Sequence, residues 1–467
     1  MEAGGDSLRL HIVVFPWLAF GHMLPSLELS KSLARRGHRI SFISTPRNIH
    51  RLPKVPSDVS HSLHLVPLIL PHVDGKPEDA EATSDLPTGD QDYLMKALDG
   101  LEQPFSTFLR DSSPKPDWIV QDFFQHWIPK IATDSGIPSL CFVSLTAAAL
   151  TFIGKPADMA TRGIETFTSS PPWVPFPSKV AYRLHEIVEL SAGPDRPSAA
   201  AASLVERMEV VIGDSPAVAI RSCAELEGEW LPVLEQLYGK PVLPVGLLPP
   251  PPNSYSSADQ ESDVLQWLAG RGLPGSVVYA ALGSEVTMSV ELTKELALGL
   301  ELAGLPFLWA LGRPFGSSPH REILPEGFEE RTRGFGKVAR GWVPQLEVLA
   351  HSAVGGFLTH CGLGSIIEGL HFGRPLILMP VRGDQGLNAR LLEEKGIGVE
   401  VEKEEDGSFT RDDVAKAVKL IMVEEEGGRY RKKAREMKTV LGGKKCQDKY
   451  ADEFVQYLLN HRASIQN

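Results

Sequence analysis

The stretch Trp342–Gln385 reads WVPQLEVLAHSAVGGFLTHCGLGSIIEGLHFGRPLILMPVRGDQ, and its pattern decides the fold class. Gly355–Thr359 is a short apolar run suited to a buried strand. His360, Cys361, Gly362, Leu363 and Gly364 follow as a glycine-rich turn. Ser365 then opens a helical stretch, and Glu368 three residues on has capping-box spacing. Gly373 and Pro375 end that helix. Pro375–Pro380 is a second apolar run, and Asp384 stands where a helix over Gln385–Lys395 needs an N-cap. Strand, glycine turn and helix in succession make an α/β unit. A helix start behind a glycine turn is an anion site, because its free N–H groups and positive dipole end point outward.

The rest of the chain repeats this alternation. At 467 residues it is too long for one ordinary core and suits two domains of roughly 200 residues each. Leu10–Trp17 is a first strand, apolar nearly throughout as a doubly buried parallel strand is. Leu18–Leu24 reads as a loop, Pro25 as the first helical position, Ser26–Arg36 as a helix stopped by Gly37, and Arg39–Ser44 as the next strand. Later strands are expected at Asp117–Gln121, Ile137–Val143 and Val210–Asp214, with a helix over Ser198–Met208. Residues 51–111 and 155–179 read as loops with broken helices. Prolines at 241, 244 and 249–252, followed by NSYSSADQESD, mark a linker. A second α/β pattern follows, with a strand at Ser276–Ala281, a helix at Val290–Ala303 and a strand at Pro306–Leu311. Arg411–Val423, Arg429–Leu441 and Asp448–Asn460 close the chain as helices.

Composition narrows the function. A net charge of −12 with no basic arm argues against a nucleic-acid partner. Cys141, Cys223, Cys361 and Cys446 are spaced like neither a zinc motif nor a disulfide framework, which reads as reduced thiols in a cytoplasmic protein. No apolar run is long enough to span a membrane. Gly362-x-Gly364 begins a dinucleotide fingerprint, but Ile367 fills its last glycine position, so a nicotinamide or flavin enzyme is not supported. A P-loop is absent, and His185-Glu186 lacks the second His of a zinc protease. Asp90-x-Asp92 resembles a metal-binding acid pair but sits in a polar loop, where a helix cap is the plainer reading.

The 44 residues from Trp342 to Gln385 resemble the donor-binding signature of plant family 1 UDP-sugar glycosyltransferases. Pro344, Gln345, Leu349, His351, Gly355, Phe357, His360, Cys361, Gly362, Ser365, Glu368, Gly373, Pro375, Pro380, Asp384 and Gln385 fit it without a gap. PWLAFGHMLPSLELSKSLARRGHR, STPRNIHRLP and ALGSEV are similar to the branch that extends sugar chains on terpenoid, steroid or flavonoid glycosides. The resemblance covers nearly the whole chain. One pair departs: the family has Trp-Asn after His-Cys-Gly, and this chain has Leu363-Gly364.

The resemblance implies the GT-B fold, two Rossmann-like lobes with the active site in the cleft between them. Residues 1–240 would form the acceptor lobe, 241–262 the linker and 263–445 the donor lobe, with 446–467 crossing back to the first lobe. His22 matches the catalytic base and Asp122 its acid partner. Read alone, His22 is a surface loop residue and Asp122 a helix N-cap; both stand past strand ends, where open α/β sheets bind ligands. Trp342 matches the residue stacked on uracil, Gln345 a ribose contact and Glu368 the clamp on the ribose hydroxyls. Val343, Gly362 and Gly364 belong to the same UDP-sugar box. His360, Ser365 and Ser284 match diphosphate contacts, and Asp384 with Gln385 matches the pair reading the sugar hydroxyls. The bland alternatives are a core tryptophan at 342, a capping partner at 368 and an N-cap at 384.

Phe20, Phe123, Phe124 and Trp127, with Phe15 and Trp17, flank the expected dyad and suggest an apolar, plate-like acceptor, although ordinary core accounts for half of them. The expected enzyme is an inverting, metal-independent monomer without a cofactor, using a UDP-sugar, glucose foremost, on a hydroxyl of a small-molecule glycoside. Its alternatives are a UDP-rhamnose-dependent rhamnosyltransferase and a weakly active or non-catalytic UDP-sugar binder.

Overall fold

The computed structural model describes residues 9–87, 89–159, 162–192, 204–251, 263–283, 288–312 and 323–462. The chain forms two compact units. The first comprises Met1–Arg162, Gly193–Leu248 and Lys444–Asn467; the second comprises Gly163–Ala192 and Pro249–Gly443.

The first unit holds a parallel sheet of β1 (His11–Phe15), β2 (Arg39–Ser44), β3 (Leu63–Pro67), β4 (Trp118–Gln121), β5 (Ser139–Val143), β6 (Val218–Ile220) and β7 (Val242–Pro244). Its order is β3-β2-β1-β4-β5-β6-β7. The central strand β1 is buried at every position, which is why its sequence does not alternate. Ile12 and Val14 face a core with Leu27, Leu33, Trp118 and Val120. The last helix, Lys444–His461, belongs to this unit: Phe454 and Leu458 enter that core, and Trp118 Nε1 donates to the Leu458 carbonyl at 3.0 Å.

The second unit holds β8 (Val277–Ala281), β9 (Phe307–Leu311), β10 (Gly336–Arg340), β11 (Val354–Thr359), β12 (Leu376–Leu378) and β13 (Gly398–Glu400). These strands are parallel, in the order β10-β9-β8-β11-β12-β13. Each sheet reverses direction of winding beside its first strand, β1/β4 in one and β8/β11 in the other, where α/β sheets place ligands.

Several expectations are corrected. Val210–Asp214 is not a strand. A helix covers Leu204–Asp214, burying Arg207, Met208, Val211 and Ile212 at helical spacing, and the strand is β6. β7 lies inside the proline stretch assigned to the linker; Pro241 and Pro244 bracket it, and an edge strand tolerates that. β3, β10 and β13 were not foreseen. The helix after β1 starts at Phe20, because His22 N and Met23 N both donate to the Ala19 carbonyl; Pro25 therefore lies inside it and costs one intrahelical bond. Gly163–Ala192, expected in the acceptor lobe, folds with the second unit.

Candidate active site

In the first unit, adjacent strands deliver the dyad. Phe15 of β1 is the register partner of Gln121 of β4, and Asp122 N donates to the Phe15 carbonyl at 3.2 Å. Asp122 thus emerges beside the end of β1, while His22 sits in the first turn of the next helix rather than in a loop. Their contact is His22 Nδ1 to Asp122 Oδ2 at 2.7 Å, with side chains 19% and 4% exposed. Asp122 Oδ1 accepts from Phe123 N at 2.8 Å. An ionised carboxylate only accepts, so the proton sits on Nδ1 and Nε2 carries the basic lone pair. Asp122 is not a helix N-cap, since the following helix is Ile128–Asp134 with Trp127 at its N-cap.

The aromatic residues frame this dyad. Trp17 stacks on Phe124 at 4.1 Å, Phe124 on Phe123 at 4.8 Å, and His22 meets both phenyl rings edge-on at 6.0 and 5.8 Å. Trp127 packs into the core against Phe15 and Phe105. Half-buried Phe20 lies under the Arg51 guanidinium. One residue went unforeseen. Fully buried Arg207 donates to both oxygens of Asp99, at 2.8 and 2.6 Å, and to the Phe124 carbonyl at 2.7 Å. It also meets His126 Nδ1 at 2.9 Å, so it ties down the turn that follows Asp122. Burial, then the Arg207 charge, lowers the His126 pKa. Some eighty positions separate Arg207 from that turn, and its own helix gave no hint that a charged residue faced inward.

In the second unit, β11 ends at Thr359 and the helix Leu363–His371 begins behind it. Its N-cap is Gly362, with extended backbone (φ −66°, ψ 137°), no side-chain cap and no acid in the first turn. Ser365 is therefore the third helical residue and not the cap, and Glu368 is not its capping partner. Cys361 takes a left-handed conformation (φ 67°), and its carbonyl accepts from Asn388 Nδ2 at 3.0 Å. The His360 imidazole is wedged between two glycines: a Cβ at Gly283 would lie 2.9 Å from its Cε1, and one at Gly362 2.5 Å from its Nε2. Burial, aided by the Arg382 charge, lowers its pKa to about 4, so at neutral pH it is an uncharged donor. Its Nδ1 is buried with no hydrogen-bond partner of good geometry among the described residues, although the Ala281 backbone acts on the ring. Helix N–H groups that have no side-chain cap among the described residues, beside such an imidazole, make an arrangement that can cradle an anion.

The remaining box residues belong to the same unit. Trp342 is 66% exposed, against the core reading and suited to a stacking platform. Gln345 Nε2 donates to Glu368 Oε2 at 2.6 Å and Tyr279 OH to Gln345 Oε1 at 3.3 Å, so Gln345, Glu368 and Ser365 stand together. Asp384 precedes the helix Gln385–Glu394 but makes no side-chain cap; its Oδ2 instead accepts from Asn388 at 2.9 Å. Gln385 Oε1 accepts from Val381 N and Arg382 N at 2.9 and 3.0 Å, which fixes the amide through its oxygen and directs its NH₂ end away from that turn. Ser284 lies outside the described residues. Among the described residues no three His, Cys, Asp or Glu side chains are placed to hold a metal, and no helix is long and apolar enough to cross a membrane.

Residues 253–441 match the family model described as UDP-glucoronosyl and UDP-glucosyl transferase. UDP-glycosyltransferase 91D2 of Stevia rebaudiana is 45% identical, over 98% of this chain and 97% of its own. Soyasaponin III rhamnosyltransferase of Glycine max is 39% identical, over 97% and 96%. Among solved structures, Phytolacca americana UGT2, complexed with UDP-2fluoro-glucose and pterostilbene, is 26% identical, with a TM-score of 0.74 over 96% of this chain and 99% of its own. With its two parallel sheets and these relatives, the chain is a GT-B enzyme and belongs to the plant family 1 UDP-glycosyltransferases.

Proposed function

We propose that this enzyme transfers a sugar, glucose foremost, from a UDP-sugar to a sugar hydroxyl of a terpenoid, steroid or flavonoid glycoside, with inversion at the anomeric carbon. The 2.7 Å contact between His22 and Asp122 carries the reading, because it puts the proton on Nδ1 and leaves Nε2 as the basic nitrogen. That nitrogen takes the acceptor hydroxyl proton as the oxygen attacks the anomeric carbon. The bond to the UDP oxygen breaks, and its electron pair leaves with UDP. Asp122 stabilises the imidazolium so formed. The departing diphosphate is met by the N–H groups of Leu363 and Gly364, by Ser365 and by neutral His360, which donates a hydrogen bond and no charge. Trp342 stacks on uracil and Glu368 with Gln345 holds the ribose, while the Gln385 NH₂ and Asp384 read the sugar. This set asks for no metal. Four unbonded cysteines suit a cytoplasmic enzyme.

Rhamnose is the second reading for the donor. Leu363 is smaller than the indole of the family pattern, and one relative is named a rhamnosyltransferase. A donor-by-acceptor screen with mass-spectrometric detection tests both. A β-linked product from UDP-glucose on a glycoside supports the proposal. Transfer only from UDP-rhamnose moves the donor assignment, and no product from any pair overturns the catalytic reading in favour of a UDP-sugar binder.

A further inference from the structure

The segment Gly163–Ala192 is encoded in the N-terminal half of the chain yet folds with the second unit, where it lies along the helix Gln385–Glu394. At the C-terminal end of that helix, Ser178 Oγ and Lys179 N each donate to Glu394 Oε2 at 3.0 Å. Further along, Arg390 bonds through Nη2 to Glu186 Oε2 and through Nη1 to Glu400 Oε1, the latter at 3.2 Å. Arg183 pairs with Glu400 at 3.2 Å, and its N–H caps Glu186 Oε2 at 2.8 Å. These ions are mostly withdrawn from water, with side chains of Arg390, Glu186 and Glu400 at 7, 10 and 3% exposure. At the N-terminal end of the helix, the Glu186 carboxylate lies on its first turn: a Cβ at Gly386 would stand 2.6 Å from both carboxylate oxygens. Gly386 directly follows Gln385. Tyr182 is buried close by, its phenol pKa raised first by burial and then by the Asp384 and Glu186 charges.

We infer that residues 178–186 form a strap that positions the donor-sugar readers Asp384 and Gln385, with Glu186 as its positioning residue on Arg390 and Gly386. The strap runs antiparallel to the helix and grips it at both ends, 394 and 386. The Asn388–Cys361 bond holds the helix near its first turns, and the Glu186–Arg390–Glu400 chain adds a second tie further along, against β13. Gly386 is glycine because the carboxylate occupies the volume a side chain needs. The consequence is specific. Loosening the strap displaces the groups that meet the sugar and leaves those that meet UDP, namely Trp342, Gln345, Glu368 and His360, where they are. The inference rests on the assignment of Asp384 and Gln385 to the sugar.

The test compares KM for UDP-glucose with the inhibition constant of UDP in the full-length enzyme. Glu186→Gln keeps the shape and removes the charge. It should raise KM about tenfold, the worth of roughly one lost hydrogen bond to the sugar, with UDP inhibition unchanged. Gly386→Ala should do the same in the wild-type background and have no effect in a Glu186→Ala background, since alanine is otherwise the better helix former. Equal changes in UDP-glucose KM and UDP inhibition would reduce the strap to a general structural support and overturn the inference. So would additivity of Gly386→Ala with Glu186→Ala. If Gln385→Ala leaves donor use unchanged, the assignment of the sugar readers fails first. If Gln385→Ala impairs donor use and the Glu186 and Gly386 variants do not, the strap inference alone fails.

Discussion

Replacing Asp122 by Asn tests the dyad more sharply than deleting either member. The structure dictates how the new amide must lie. Phe123 N donates to Oδ1 at 2.8 Å, and Trp17 N points at Oδ2 from 3.4 Å. An Asn therefore keeps its oxygen on Phe123 N–H, the shorter bond, and turns its NH₂ toward His22 Nδ1. Two donors cannot share that contact, so the imidazole shifts its proton to Nε2, the nitrogen that must be bare to accept the acceptor's proton. The fold is untouched while the base is in the wrong tautomer. General-base catalysis contributes about 10²–10⁴-fold, or roughly 2.7–5.4 kcal/mol of barrier. Asp122→Asn should lose that factor in kcat, with UDP inhibition near the wild-type value because the residues proposed to hold the nucleotide belong to the other unit. His22→Ala should lose as much, and the double variant little more than either single. Steady-state rates with saturating UDP-sugar measure all three. Retention of more than about a tenth of the rate by either single variant removes the dyad from the chemistry.

Activity should survive EDTA; complete loss restored by Mg²⁺ or Mn²⁺ would overturn the metal-free site and return Asp90 and Asp92 to consideration. Gly364→Asn adds a side-chain donor at the cradle and should lower the UDP-sugar KM by about one to two decades, the worth of a hydrogen bond to a charged group. Leu363→Trp should narrow donor choice, and unchanged KM and preference in both variants would make the departure from the family pattern neutral. His360 takes up a proton near pH 4 when folded but near 6.5 when unfolded, so the unfolded chain holds more protons between those values and stability falls as pH drops through that window. Melting curves of His360→Asn should decline less steeply there than wild type, although burial-lowered His11 and His38 keep part of the slope; identical slopes would refute the buried, neutral imidazole.

The donor half was legible because its residues are contiguous. Strand, turn and helix follow one another within Trp342–Gln385, and side-chain chemistry repeats at fixed spacing. What misled was local logic. Ser365/Glu368 has capping spacing and Asp384 stands before a helix, yet neither caps. Gly362 supplies the extended N-cap conformation directly before Leu363, three positions ahead of Ser365, and Glu368 finds a stronger partner in Gln345, 23 positions away. Val210–Asp214 looked like a strand from its β-branched residues; the burial of Arg207, Met208, Val211 and Ile212 follows the helical period instead. The acceptor side was least legible, since its aromatic residues serve the core and the dyad at once. Arg207 and Glu186 act on partners at sequence separations of 83 and 204, which no local pattern encodes.

That last separation has a consequence for how the two halves of such an enzyme exchange. A chimera joined at Leu248/Pro249 takes Gly163–Ala192 from one parent and the helix Gln385–Glu394 from the other, although both belong to the same unit. Where the incoming segment lacks an acid at the position of Glu186, Arg390 keeps only Glu400. Arg390 is then still compensated by Glu400, so the loss is that of one hydrogen bond between charged groups, about 1.5–3 kcal/mol, and not the larger penalty of an unpaired buried charge. For a unit of this size each kcal/mol moves the melting temperature by roughly 2–4 °C, so the chimera should melt about 3–12 °C below its parent and bind UDP-glucose less well. A second chimera that carries residues 163–192 together with 249–443 keeps Ser178, Lys179, Arg183 and Glu186 on their own helix. It should recover both the melting temperature and the donor KM. If the two junction designs behave alike, residues 163–192 are a passive connection, and unit membership says nothing about how the donor helix is held.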